Sequence, residues 1–598
     1  MRILLASLLA ALLPSLAVAQ SVLGAISGTV TDAARAPLAG ALVRLVDVGT
    51  NRVRSCVADT RGEFTVSSLP PGEYRIEAEH EGYRRHVRQL TLGLNQEIQV
   101  DVPLLPGRRT DTVEVRAAPE LLRTDSSSLG GLIENRQITG LPLDGRNFFE
   151  LSLLLPGVAP PAPGSAGSIR GDFAVNVNGA REDSNSFLLD GVFNGDPQLN
   201  HIGVTPPLDA VREFEVVLGA YDASFGRNAG GQVNVILKSG TNQFHGAGYG
   251  FLRNRALDAR NYFAPPAEKS PRYQRNQWGG SLGGPAVRDR TFFFADYEGR
   301  RLREGMTRVT NVPTELERAG DFSRSSMLAI DLFTQRPFEG NVIPLARRHP
   351  VGLAVANLYP LPNRSAPGQN YVSSPAARDR EDHFDVRLDH NLGASDDLGF
   401  RYSFADRALY EPFSGPTFAA VPGFGTNVER RAQNAVLSET HVFAPSWLNE
   451  LRLGFNRISI GTFHENQGRN RNAEVGLPQV SANPRAHGLS FISITGYSPL
   501  GDESHNPQHS SRTGYQIVDT ATHVRGRHIL KAGVDVRWLQ QNAYRDEMAR
   551  GFINFLGRTG NALAEMLQGF PSLSGAARLD NHQHMRTRSA YFFLQDTW

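Results

Sequence analysis

From Gly246 onward the chain repeats one pattern, in which apolar and polar residues alternate over strand-length segments separated by turn formers. In "HFDVRLDHNLGASDDLGFRYSFADR", Phe384, Val386 and Leu388 alternate with His383, Asp385, Arg387 and Asp389. After the turn, Leu398, Phe400, Tyr402 and Phe404 alternate with Gly399, Arg401 and Ser403. The segment "HILKAGVDVRWLQQ" repeats the pattern, with Leu530, Ala532, Val534, Val536 and Trp538 set against Lys531, Gly533, Asp535 and Arg537. A side-chain period of two sends the two sets to opposite faces of a strand, so one face can meet hydrocarbon and the other water. Soluble sandwiches alternate as well, but here charges recur on the inward set in hairpin after hairpin. Short turns such as "GPAVRDR" and "FAPSW" also alternate with long polar connections, as at the two rims of a transmembrane barrel. Past the N-terminus no run approaches about 18 unbroken apolar residues, so any membrane crossing must be made by strands.

The first residues, "MRILLASLLAALLPSLAVAQS", carry Arg2, an apolar run from Ile3 to Leu13 and the small-residue site Ala17-Val18-Ala19. This predicts an export signal over residues 1–19, because the run is too short for a membrane helix and is broken by Pro14. At 598 residues the chain is too long for one ordinary domain. A net charge of +2 gives no electrostatic reason to expect a nucleic-acid partner. The single Cys56 cannot form an internal disulfide, so stability must come from packing and strand pairing.

Residues 24–104 read as an all-β domain of about seven short strands, with "ISGTVTD", "ALVRLVD", "GEFTVSSL", "GEYRIEAEH" and "IQVDVPL" alternating between turns. Their spacing resembles the carboxypeptidase-regulatory-like domain, a small β-sandwich. That resemblance implies turn roles for Gly40, Gly62, Gly72 and Gly82 and core roles for Phe64 and Tyr74. No HExxH motif accompanies it, so the name carries no peptidase activity. A Pro-Gly-Arg-Arg linker leads to the β-prone heptad "DTVEVRA", stopped by Pro119. Residues 119–240 then form a second globular region of short strands in a mixed α/β pattern, with "LPLDGRNFFELSLLLPGV", "NSFLLDGVFNGD" and "LDAVREFEVVLGAYDASFGRNAGGQVNVILKSGTN".

These motifs resemble the plug domain of TonB-dependent outer-membrane transporters, in particular the Oar-like subfamily. "WGGSLGGPAVRDRTFFFADYEGRR", "VPTELERAGDFS" and "GNVIPLARRHPVGLAVANLYPLPN" extend the resemblance into the barrel region. In that family the order is sandwich, TonB box, plug, barrel. The resemblance therefore implies that Asp111, Thr112, Val113, Glu114, Val115, Arg116 and Ala117 form the TonB box, which binds TonB by strand addition. The expected class is mainly β, with an N-terminal sandwich, a small α/β plug and part of a transmembrane antiparallel barrel over 241–598. In "GGQVNVILKSGTNQFHGAGYGFLRN", Val233–Leu237 is expected to close the plug and Ala247–Phe251 to open the barrel, with "KSGTN" as hinge. Gly246, Gly248 and Gly250 are expected to face inward, where plug and wall approach. About ten barrel strands can be placed up to Trp598, against about 22 expected around a plug, which implies further strands beyond this sequence.

No nucleophile, acid pair, cofactor motif or metal set can be assembled. The pairs His505 and His509, and His582 and His584, read as solvated loop or strand-start residues because no Cys or carboxylate completes a ligand set. "GGSLGGP" lacks phosphate-loop spacing. Asp190-Gly191 reads as a structural turn. The expectation is a non-enzymatic transporter of the bacterial outer membrane, with its sandwich in the periplasm. Its expected partners are TonB with the inner-membrane energising complex, membrane lipid, and a ligand that is a siderophore, an oligosaccharide, a peptide or a protein. The alternative is a non-transporting adhesin or scaffold whose sandwich binds carbohydrate.

Overall fold

The computed structural model describes residues 23–598, except 109–111, 117–128, 162–173, 198–200, 220, 227, 260–270, 394, 416, 527 and 578–580. The predicted export signal lies outside these residues.

The N-terminal strands are β1 (Gly24–Thr31), β2 (Leu42–Asp47), β3 (Val53–Val57), β4 (Glu63–Leu69), β5 (Gly72–Glu79), β6 (Arg85–Leu92), β7 (Glu97–Pro103) and β8 (Thr112–Arg116). They make two sheets, ordered β4-β1-β7 and β3-β2-β5-β6-β8. Alternation along each strand turns Ile26, Val43, Leu45, Phe64, Tyr74, Ile76 and Val100 into one shared core. Gly62 adopts φ 71°, and a Cβ there would lie 2.5 Å from the Val30 carbonyl oxygen, so only glycine fits the turn. Gly40 and Gly82 are also at positive φ, whereas Gly72 opens β5 and turns nothing.

A second unit holds β9 (Leu129–Glu134), β10 (Ser186–Leu189), β11 (Val192–Phe193), β12 (Val211–Gly219) and β13 (Gln232–Leu237) in one sheet, ordered β11-β10-β13-β12-β9. Phe148, Phe214, Val216, Val233, Val235 and Leu237 pack its core, and one short helix, Asn135–Gly140, lies beside it.

The largest sheet is a wall of ten strands: β14 (His245–Asn254), β15 (Tyr273–Val287), β16 (Thr291–Gly305), β17 (Ala376–Asn391), β18 (Asp396–Glu411), β19 (Thr426–Ala444), β20 (Trp447–His464), β21 (Gln508–Arg525), β22 (His528–Arg545) and β23 (His582–Thr597). Each pairs antiparallel with its neighbours in chain order. The wall curves around the second unit, which touches Arg275 of β15, Arg401 of β18, Gln516 of β21 and Gln595 of β23. As the alternation predicts, Asp385, Arg401 and Ser403 are buried on the inner face while Leu388 and Phe400 are exposed on the outer.

On β14 the prediction is inverted. Tyr249 and Phe251 face inward, under the Arg146 guanidinium at 4.3 and 4.8 Å, and the Tyr249 hydroxyl donates to Glu298 at 2.7 Å. Gly248 and Gly250 stand on the outer face, and Gly250 lies opposite the exposed Trp278. The cause is electrostatic: a guanidinium from the enclosed unit takes the two aromatic faces, so the side chains follow the cation rather than the lipid.

The long connections at the rim opposite the short turns are not merely polar. Phe322, Val355, Ile492, Leu500, Leu563 and Leu567, drawn from 306–375, 465–507 and 546–581, share one buried core. Helix Pro350–Ala356 packs on helix Ala562–Gln568 so closely that a Cβ on Gly352 would meet the Met566 carbonyl oxygen at 2.3 Å. Strand Phe491–Ile494 runs parallel to Phe552–Phe555, tying two connections together. These segments form one cap.

Candidate functional site

Of the heptad singled out in the sequence, Thr112–Arg116 form β8, and Asp111 and Ala117 lie outside the described residues. β8 pairs in parallel with β6, matching Arg85 to Thr112, Val87 to Glu114 and Gln89 to Arg116. Among the described residues it is the last strand of its sheet.

The enclosed unit meets the wall across a polar seam. Asp190 turns β10 into β11 at φ 48° and receives hydrogen bonds from Leu237 N at 3.2 Å, Arg387 at 3.3 Å and Arg401 at 3.0 Å. Arg401 also donates to the Leu189 carbonyl at 2.9 Å, to Asn434 Oδ1 at 2.7 Å and to Ser403 at 3.2 Å. Farther round, Arg512 pairs with Asp196, Gln516 accepts from Phe193 N at 2.8 Å, and Asn456 donates to the Gly195 carbonyl at 2.8 Å. Toward the cap, Arg275 donates to Asp144 at 2.5 Å. Apolar interlock is sparse: Phe294 is the wall side chain in the unit's core, and Val204 meets Ala432 and Ile458. Polar bonds exchange with water at a net cost of about 0.5–1.5 kcal/mol each where neutral and about 1.5–3 kcal/mol where charged, so the seam can be remade stepwise without exposing a large apolar area.

Sequence reasoning took Asp190-Gly191 only as a turn. The carboxylate is also the anchor for two wall arginines. The available signal was Arg401 itself, an inward-facing cation flanked by the small inward residues Gly399 and Ser403.

On the cap side of the seam a cavity of about 460 Å³ separates the enclosed unit from the wall. Arg146, Arg300, Arg407 and Arg430 line it, together with Glu298 and Glu381, so it offers both signs of charge to a solute. The histidine pairs are spoken for within the protein: His505 pairs with Glu547 at 2.5 Å, His509 lies 3.1 Å from Ser459, and His582 and His584 stack on each other at the start of β23.

At the short-turn rim the sandwich docks on both other units. Arg52 and Arg54 reach Asp397 at 3.0 and 3.5 Å, Asn51 donates to Asp289 at 2.8 Å, and Lys531 lies 3.5 Å from Glu97. Asn95 donates to Glu215 at 2.9 Å, and Leu94 is buried against Ile236. Beside this contact, burial pushes the Glu213 carboxyl up to about 7, with Glu134 and Glu215 adding to the rise and Arg212 opposing it.

Residues 236–598 match the family model described as an outer membrane beta barrel domain, and residues 25–105 match that of the carboxypeptidase regulatory-like domain. The TonB-dependent transporter Oar of Myxococcus xanthus is 28% identical over 312 residues, covering 50% of this chain and 28% of Oar. Among solved structures, the outer membrane transporter YddB from Escherichia coli aligns with a TM-score of 0.49 at 11% identity, over 78% of this chain and 54% of that one. A mutant of the ferric enterobactin receptor PfeA from Pseudomonas aeruginosa aligns with a TM-score of 0.42 at 14% identity, over 78% and 54%. The chain thus spans about a quarter of the length of Oar and about half of the two solved structures.

Proposed function

The chain belongs to the outer membrane beta barrel domain family and resides in the bacterial outer membrane, and on that premise we propose that it is a TonB-dependent transporter. In this reading the enclosed unit, 119–240, is the plug, the sandwich, 24–104, lies in the periplasm, and 111–117 is the TonB box. A ligand enters beneath the cap and rests in the charged cavity between plug and wall. TonB, energised from the inner membrane, adds a strand to β8, and its pull rearranges the plug along the polar seam. The ligand is a siderophore, an oligosaccharide, a peptide or a protein.

The observation that carries the reading is β8 itself: a short edge strand that follows the sandwich and precedes the enclosed unit in the chain. Strand addition works through backbone groups, so it tolerates many side chains but not a missing N–H. Val113→Pro and Glu114→Pro, made singly in the full chain, remove N–H groups on opposite sides of β8, and at least one is expected to abolish capture of the periplasmic domain of TonB while membrane insertion is retained. Undiminished capture by both variants would refute the assignment.

A further inference from the structure

Building on the reading of β8 as the TonB-binding strand, we infer that the sandwich serves as its platform: the partner's strand adds to the open side of β8 while β8 remains bonded to β6. β8 ends the order β3-β2-β5-β6-β8, and among the described residues no strand pairs with its far side. Along any strand, backbone N–H and C=O groups point alternately to the two sides, so pairing with β6 uses one set and leaves the other as a template. Because Thr112–Arg116 are already extended in register with Arg85–Gln89, a partner strand need not order them, and that part of the entropic cost of strand addition is met in advance.

The sandwich is also held where a platform must be held. Arg52 and Arg54 tie it to Asp397 of the wall rim, Glu97 to Lys531, and Asn95 to Glu215 of the plug sheet. Tension on β8 therefore reaches wall and plug through the sandwich as well as along the chain. The competing mechanism has TonB strip β8 from β6, and the sandwich would then act as a competitor for the strand.

The two mechanisms separate when β8 is locked in place. Val87 and Glu114 are register partners, and the usual spacing of paired strands, about 4.8 Å, suits a disulfide. The full-length Val87→Cys/Glu114→Cys protein, in detergent micelles, is titrated with the purified periplasmic domain of TonB in its oxidised and reduced forms. Cys56 is buried in the sandwich core and takes no part. The platform predicts that the oxidised form binds within about threefold of the reduced form. A larger loss on oxidation, restored by reductant, would overturn it in favour of displacement. Failure of the two cysteines to bond would contradict the β6–β8 register and overturn it as well. If the wild-type chain does not bind TonB at all, the proposed function fails and the platform with it, a result distinct from selective loss in the locked form.

Discussion

Arg401 of β18 reaches across the seam to Asp190 at 3.0 Å and is itself only 1% exposed, so the wall and the enclosed unit share a buried ion pair. The geometry is fully used: the same guanidinium also serves Leu189, Asn434 and Ser403. Removing one partner of a buried pair typically costs about 3–5 kcal/mol, but Arg387 at 3.3 Å still faces Asp190, so the loss on removing Arg401 falls toward the low end of that range, and removing both partners costs less. Arg401→Met is therefore expected to lower the unfolding temperature and admit protease to the enclosed unit, and Asp190→Asn/Arg401→Met to recover part of the loss. Thermal melts with limited proteolysis check this, and additive losses in the double variant would argue against a coupled pair.

The contact between sandwich and enclosed unit should respond to pH through Glu213. A carboxyl raised from 4.5 to about 7 is disfavoured as an anion in the fold, so its contribution to stability is fully present below about pH 4.5 and is lost as pH rises through 7. A shift of this size corresponds to about 3 kcal/mol at most. Glu213→Gln is expected to raise stability at pH 8 relative to wild type and to change little at pH 5. Calorimetry at the two pH values decides, and equal effects at both would contradict the assignment.

The cap should open as one body. Leu563 is fully buried among residues from the other connections, and Leu563→Ala is expected to cost about 2–5 kcal/mol of local stability. Hydrogen exchange should then accelerate together in 306–375, 465–507 and 546–581 while the wall strands stay protected. Acceleration confined to 546–581 would mean that the connections move independently.

Much of this architecture could be read from period and punctuation. In β17 and β18 the dyad alternation placed Asp385 and Arg401 inside and Leu388 and Phe400 outside, because side-chain direction in a strand is a local property. On β14 glycine and aromatic residues alternate without saying which set faces in, and the partner that meets the aromatic set, Arg146, lies about 100 residues earlier. The cap core escaped notice because its members are single apolar residues dispersed through turn-rich connections with no period. The pairing of β8 with β6 is parallel and crosses β7, and no turn signal announces such a register.

Engagement of TonB at β8 is tested by disulfide trapping in cells between single cysteines at Thr112 to Arg116 of the full chain and single cysteines along the TonB periplasmic strand. Cysteines in β3, Val53–Val57, the opposite edge of the same sheet, serve as the control. Strand addition at β8 is expected to give trapped pairs along β8 in one consistent register and none at β3. Absence of trapping at β8, or equal trapping at β3, would contradict it.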